Sequence, residues 1–184
     1  RPRRPIDSIV ISVPANILLD SRSNIEAKTV LKNLSKITSQ RIWMVQNSFS
    51  IRIPVYLIVS GCEEIQGFSS FAQSLPKSMR NSILGWSNPN DLFTIFSKKW
   101  IVQAIDEISA RVSSLVMEMG ASHPDKNNRL EEFLLPLEIK NLQNGLVEYT
   151  EGLVESSGFY EPFFFRGIFM VTNHKKPSFT KDLF

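Results

Sequence analysis

Residues 54–64, PVYLIVSGCEE, join a run of β-branched, aromatic and aliphatic residues to a small-residue turn carrying a cysteine and two carboxylates. An apolar run of this length, opened by proline and closed by glycine, reads as a strand buried in a parallel sheet. Sites in α/β proteins form where such strands end, so the turn with its cysteine, Cys62, and two carboxylates, Glu63 and Glu64, is the first place to look for one.

Working outward, IDSIVISV (6–13) is a second run of the same kind and reads as a strand covered on both faces. Between the two, LLDSRSN offers Ser and Asn as helix caps. Ala27, Val30, Leu31, Leu34 and Ile37 then share one face of a helical period. Strand, helix and strand make one crossover unit of about 40 residues, expected to be parallel and right-handed.

Past the opening stretch, GFSSFAQSLPKSMRNSILGW reads as two short helices meeting near Pro76, then a turn at Gly85 that sets Trp86 on a packing surface. A long helix is expected from Asp91 to Met119, with Ile101, Ile105, Ile108, Val112, Leu115 and Met119 as its apolar stripe and Gly120 as its stop. Leu130 to Ser156 resumes helix with a break at Pro136, and Ile139, Leu142, Leu146 and Leu153 share a face. FFFRGIFMVT (163–172) is a last strand before a polar tail. The expected class is α/β, a small parallel sheet of about three strands with a large helical insertion. Residues 1–66 form the strand-helix-strand part, 67–156 the helical insertion, and 157–184 the last strand and tail.

A chain of 184 residues, 42% of them hydrophobic, suffices for one domain with a real core. A net charge of +3 is too mild to demand nucleic acid or an anionic membrane. The basic opening RPRRP is short and lacks interleaved aromatics, so no nucleic-acid partner is expected. The single cysteine excludes an internal disulfide, and His123 and His174 stand too far apart for a metal motif. No apolar run approaches the roughly 18 to 20 residues that cross a bilayer. The expectation is a segment that neither spans a membrane nor carries its own export signal.

Catalytic motifs are missing. Phosphate loops end in Gly-Lys-Ser or Gly-Lys-Thr because stacked N–H groups and a lysine must neutralise phosphate, and the chain has no such sequence. It also lacks a Gly-x-Ser-x-Gly elbow, a His-Glu-x-x-His helix and a Cys-x-x-Cys pair. Cys62 with His123 as nucleophile and base has no signal joining the two, and a lone strand-end cysteine reads as small filler. Glu63 and Glu64 are adjacent, so their side chains are expected to point apart in a solvated turn. No catalytic residue, cofactor or metal is expected. FYEPFFF (159–165) reads as buried aromatic sequence, with an exposed docking patch as the alternative.

Several landmarks together carry a family resemblance. The opening RPRRPIDSIVISV, then IRIPVYLIVSGCEEIQGFSSF, ILGW and FFFRGIFMVT, resemble in content and order the landmarks of the IcmF family, also called TssM. This is the large inner-membrane component of type VI secretion, with relatives in the type IVB Dot/Icm system. The resemblance implies a segment on the cytoplasmic side of the bacterial inner membrane, touching the membrane only through transmembrane helices outside this chain. It further implies a P-loop GTPase-like fold whose phosphate loop lies upstream of Arg1.

In such folds the strand-end Thr/Asn-Lys-x-Asp reads guanine, and Ser60, Gly61, Cys62 and Glu63 occupy those positions here. Gly61 has no stem to pack on a base, and the Glu63 carboxylate sits one methylene too far out, which implies a degraded base site. Thr172 matches the family's second base-side loop, with Asn173 where serine is usual. The resemblance implies a scaffold that binds a TssL/DotU-type membrane protein and baseplate components, without enzymatic activity. On that reading the outer faces of the Asp91–Met119 and Pro136–Ser156 helices, with Lys98, Lys99 and Arg111, are the expected docking surface. A weakened nucleotide switch is the other reading.

Overall fold

The computed structural model describes residues 6–91, 94–122, 130–155, 164–172 and 179. The chain runs β1 (Ile9–Pro14), α1 (Ala15–Asp20), α2 (Ile25–Phe49), β2 (Val55–Ser60), a single 3-10 turn (Cys62–Glu64), α3 (Phe68–Ser74) and α4 (Lys77–Arg80). It continues through β3 (Gly85–Ser87), α5 (Lys99–Ser122), α6 (Leu130–Lys140), α7 (Gln143–Glu155) and β4 (Phe165–Met170). The class is α/β, as the sequence indicates.

Among the described residues the sheet has four strands in the order β1-β2-β4-β3, where about three parallel strands were expected. β1, β2 and β4 are parallel, and β3 closes the edge antiparallel to β4, so the sheet is mixed. β3 covers only Gly85, Trp86 and Ser87, too short for a period-two pattern, and stands where a turn was expected. Its backbone lies so close to β4 that a Cβ on Gly85 would sit 2.4 Å from the Ile168 carbonyl oxygen. Trp86 pairs with Ile168 and stacks on Phe165, with ring centroids 6.3 Å apart.

The register puts Ile11, Leu57 and Ile168 in one row and Val13, Val59 and Met170 in the next, all buried. These rows join one hydrophobic cluster with Leu18, Leu31, Ile101, Ile105, Ile108, Ile139 and Leu146 from the helices. The other sheet face carries Val10, Ser12, Tyr56, Ile58 and Phe169, none of which belongs to that cluster. β1 is therefore covered on one face rather than two, since Val10 and Ser12 are exposed while Ile11 and Val13 are buried. As an edge strand it meets the core with alternate residues only.

Asn24 caps α2 by accepting the Glu26 N–H at 2.8 Å, a cap foreseen in the sequence. The buried face of α2 differs from the expected one. Leu31, Ser35, Ser39 and Ile42 are buried, while Val30 and Ile37 lie outward at 52% and 47% exposure. Close packing on α7 explains the rotation. A Cβ on Gly152 would come within 2.1 Å of Ser35 Oγ, and Ser39 Oγ donates to the Leu153 carbonyl at 2.7 Å. Only small side chains permit that approach.

α5 buries Ile101, Ile105, Ile108 and Val112 as expected, but it starts at Lys99 instead of Asp91 and passes Gly120 to end at Ser122. Pro136 lies inside α6, and the break falls at Asn141–Leu142 instead. Proline removes one N–H bond from the ladder, but the Pro136 carbonyl accepts from Ser109 Oγ at 2.8 Å and stays anchored to α5. Among the described residues no helix is long and apolar enough to cross a membrane.

Candidate functional site

The predicted strand-end residues meet where β2 and β4 end. Gly61 turns the chain in the left-handed region at φ 67°, a backbone conformation that favours glycine, and Cys62 enters the 3-10 turn behind it. The Cys62 N–H donates to the Val171 carbonyl at 3.1 Å, and the Val171 N–H donates to Val59 at 2.9 Å. Thr172, buried, follows directly. Ser60 is half-buried and accepts a hydrogen bond from Ser12 Oγ at 2.9 Å.

Ser60, Gly61, Cys62, Glu63 and Thr172 thus occupy one neighbourhood, but the chemistry available there is small. Cys62 is fully buried and its Sγ donates to the Val59 carbonyl at 3.2 Å. Burial pushes its thiol far above the usual range, opposed by the hydrogen bond with Val171, so the sulfur is held neutral and shielded. His123, the base weighed for it and set aside, lies outside the described residues. Glu64 is exposed and Glu63 half-exposed on the turn. Among the described residues no group of three His, Cys, Asp or Glu could hold a metal ion.

Behind this turn the chain is bolted to the helical segment. Gly67, at φ 82°, approaches the first turn of α6 so closely that a Cβ would lie 2.2 Å from the Glu131 carbonyl oxygen. Glu132 is buried, and its carboxylate accepts from Ser70 Oγ at 2.7 Å and Ser74 Oγ at 2.9 Å on α3. Two charge-assisted hydrogen bonds fix α6 against the strand-end loop.

On the far side of α6 is a feature the sequence reading passed over. Leu130, Phe133, Leu134 and Leu137 are 72%, 50%, 40% and 58% exposed. Their spacing, i, i+3, i+4 and i+7, makes one stripe along the helix. Glu132, Leu135 and Ile139 form the opposite, buried row. The signal was present as a helix apolar on two sides, of which only one can face a single core.

A comparison with family models bears on identity. The model for the IcmF-related N-terminal domain matches residues 1–182. The chain belongs to that family. No curated protein and no solved structure matches it significantly. As an IcmF-related domain, it belongs with secretion-system components of the IcmF type.

The landmarks of this IcmF-related domain now have positions. Pro54 to Val59 lead into and build β2, Gly67 and Phe68 open α3, Gly85 and Trp86 are β3, and Arg166 and Gly167 lie in β4. The cations expected on the docking surface divide. Arg111 turns to β3, its Nη1 donating to the Gly85 carbonyl at 3.1 Å, and Lys98 pairs with Glu151 of α7 at 3.3 Å. Lys99 is exposed at the first position of α5. An open groove of about 380 Å³ beside α2 and α7 is lined by Arg22, Lys28, Glu148 and Glu151, and the Lys28–Glu148 ion pair bridges it.

Proposed function

We propose that this IcmF-related domain is a non-catalytic docking segment of an IcmF-type secretion component, on the cytoplasmic side of the bacterial inner membrane. It engages a TssL/DotU-type membrane protein or baseplate components through its helical surface. The observation that carries the reading is the outer stripe of α6, four large apolar side chains on a helix whose other face already fills the core. Contiguous exposed apolar surface of this kind marks a binding face, since water penalises it in the free protein. The clamp at Glu132 holds the stripe rigid and so lowers the ordering cost of docking.

Phe133→Gln with Leu137→Gln in the parent protein tests it. Both side chains point outward, so folding should persist while co-purification with the TssL/DotU-type partner falls at least about tenfold, as loss of central apolar anchors does. Undiminished assembly with a folded double variant would remove α6 as the docking face.

A second reading, a weakened nucleotide switch, draws on the open edge of the sheet. Among the described residues β1 has a strand neighbour only in β2. An additional parallel strand there would end beside Pro14, one strand removed from Ser60–Glu63, along the carboxyl edge where open α/β sheets bind ligands. On this reading a phosphate loop upstream of Arg1 supplies most of the affinity. Calorimetric titration of the parent protein, upstream sequence included, with GTP and magnesium separates the two: the docking reading expects no heat, and micromolar binding would favour the switch.

A further inference from the structure

The α6 stripe has two unlike edges. One faces α5, where Lys140 Nζ pairs with Asp106 at 3.0 Å and Ser109 Oγ holds the Pro136 carbonyl. The other carries Glu131 and Glu138, seven residues apart and therefore about 20° from alignment at about 100° per residue. Neither glutamate is in an ion pair among the described residues, and Glu138 accepts only a neutral bond from the Asn141 amide at 3.0 Å. An apolar stripe whose acidic border has no ion-pair partner among the described residues is thus presented on a chain whose formal net charge is +3.

Resting on the docking reading above, we infer that the occupant of this stripe is an amphipathic helix of a partner protein that carries Lys or Arg at seven-residue spacing beside its apolar row. The spacing of Leu130, Phe133, Leu134 and Leu137 matches the i, i+3, i+4, i+7 anchors by which helices pair. Cations on the incoming helix meet Glu131 and Glu138, and such flanking pairs set partner choice and orientation. A second copy fits poorly, because an antiparallel twofold pairing would set acidic row against acidic row. Anionic lipid is disfavoured by the same acidic border.

The test uses the intact chain and two fluorescein-labelled, end-capped heptad peptides with Leu at positions a and d, one with Lys at e and g and the other with Glu there. Anisotropy at low salt should show the Lys peptide binding about fivefold tighter, the gain expected of two exposed ion pairs. The overall positive charge of the chain would favour the Glu peptide, so non-specific attraction predicts the opposite order. Glu131→Lys with Glu138→Lys should invert the preference, and Phe133→Gln with Leu137→Gln should abolish binding of both peptides. Equal binding of the two peptides, a preference unmoved by the charge reversal, or self-association of the chain through the stripe would each overturn the inference. If the apolar variant costs the parent protein its partner while the peptides are not discriminated, docking at α6 stands and the cationic helix falls. If that variant affects neither, both readings fall.

Discussion

Replacing Gly152 with alanine tests the contact that sets α2 on α7. The new methyl would lie 2.1 Å from Ser35 Oγ and 2.9 Å from Ser35 Cβ, where ordinary contacts are longer than 3.4 Å. Rotating Ser35 relieves the first clash only by breaking its 2.8 Å bond to the Lys32 carbonyl, and the second remains until the helices move apart. Overpacking of this kind costs about 1–3 kcal/mol, and two clashes on a rigid helix pair point to the upper end. Alanine returns about 1 kcal/mol of helix propensity, which leaves a net loss near 2 kcal/mol. Urea unfolding followed by far-ultraviolet circular dichroism reads this as a lower midpoint at unchanged slope. Ser35→Ala in the Gly152→Ala background removes only the shorter clash and should recover part of the loss. Ser35→Gly removes both and should recover most of it, apart from the propensity cost of glycine. A Gly152→Ala variant as stable as the parent sequence would refute this account of the α2–α7 contact.

Glu132→Ala removes the carboxylate to which Ser70 and Ser74 donate and opens the α3–α6 clamp, so a loss of about 1–3 kcal/mol is expected in the same assay. Arg111→Met removes the donor to the Gly85 carbonyl and should cost about 1 kcal/mol, whereas Lys99→Glu, on an exposed side chain, should change stability by less than about 0.5 kcal/mol. The Cys62 thiol ionises more readily in the unfolded chain than in the folded one, because burial raises its folded pKa. Its contribution is fully present below the unfolded value near 9.0 and declines as the pH rises above it. Stability measured from pH 7 to 10 should therefore fall at the alkaline end, with a shallower fall in Cys62→Ala, and an identical slope in that variant would contradict the buried-thiol assignment.

β1, β2, β4 and the buried stripe of α5 could be read from the chain because each depends on local pattern alone. Continuous β-branched runs and a sustained 3.6-residue period leave few alternatives, and the turn at Gly61 follows from a small residue at a strand end. The turn at Ser60–Glu63 was legible as the end of a strand, whereas Thr172 was singled out by the family resemblance, and the parallel pairing of β2 and β4 brings the two together. Tertiary contact decided the rest. Periodicity says that α2 and α6 each have apolar residues on more than one side, but not which side meets the core. On α2 the choice fell to Ser35 and Ser39, polar in a one-dimensional reading, because their small size admits Gly152 and the α7 backbone. On α6 it fell to Glu132, a charged residue drawn inside by two serines from a distant helix, which turns Leu130, Phe133, Leu134 and Leu137 outward. β3 exists because β4 offers an edge to three residues with no strand pattern of their own. Local period and capping are properties of neighbouring residues, whereas the choice between two apolar faces depends on the shape and hydrogen-bonding groups of a surface far away in the chain.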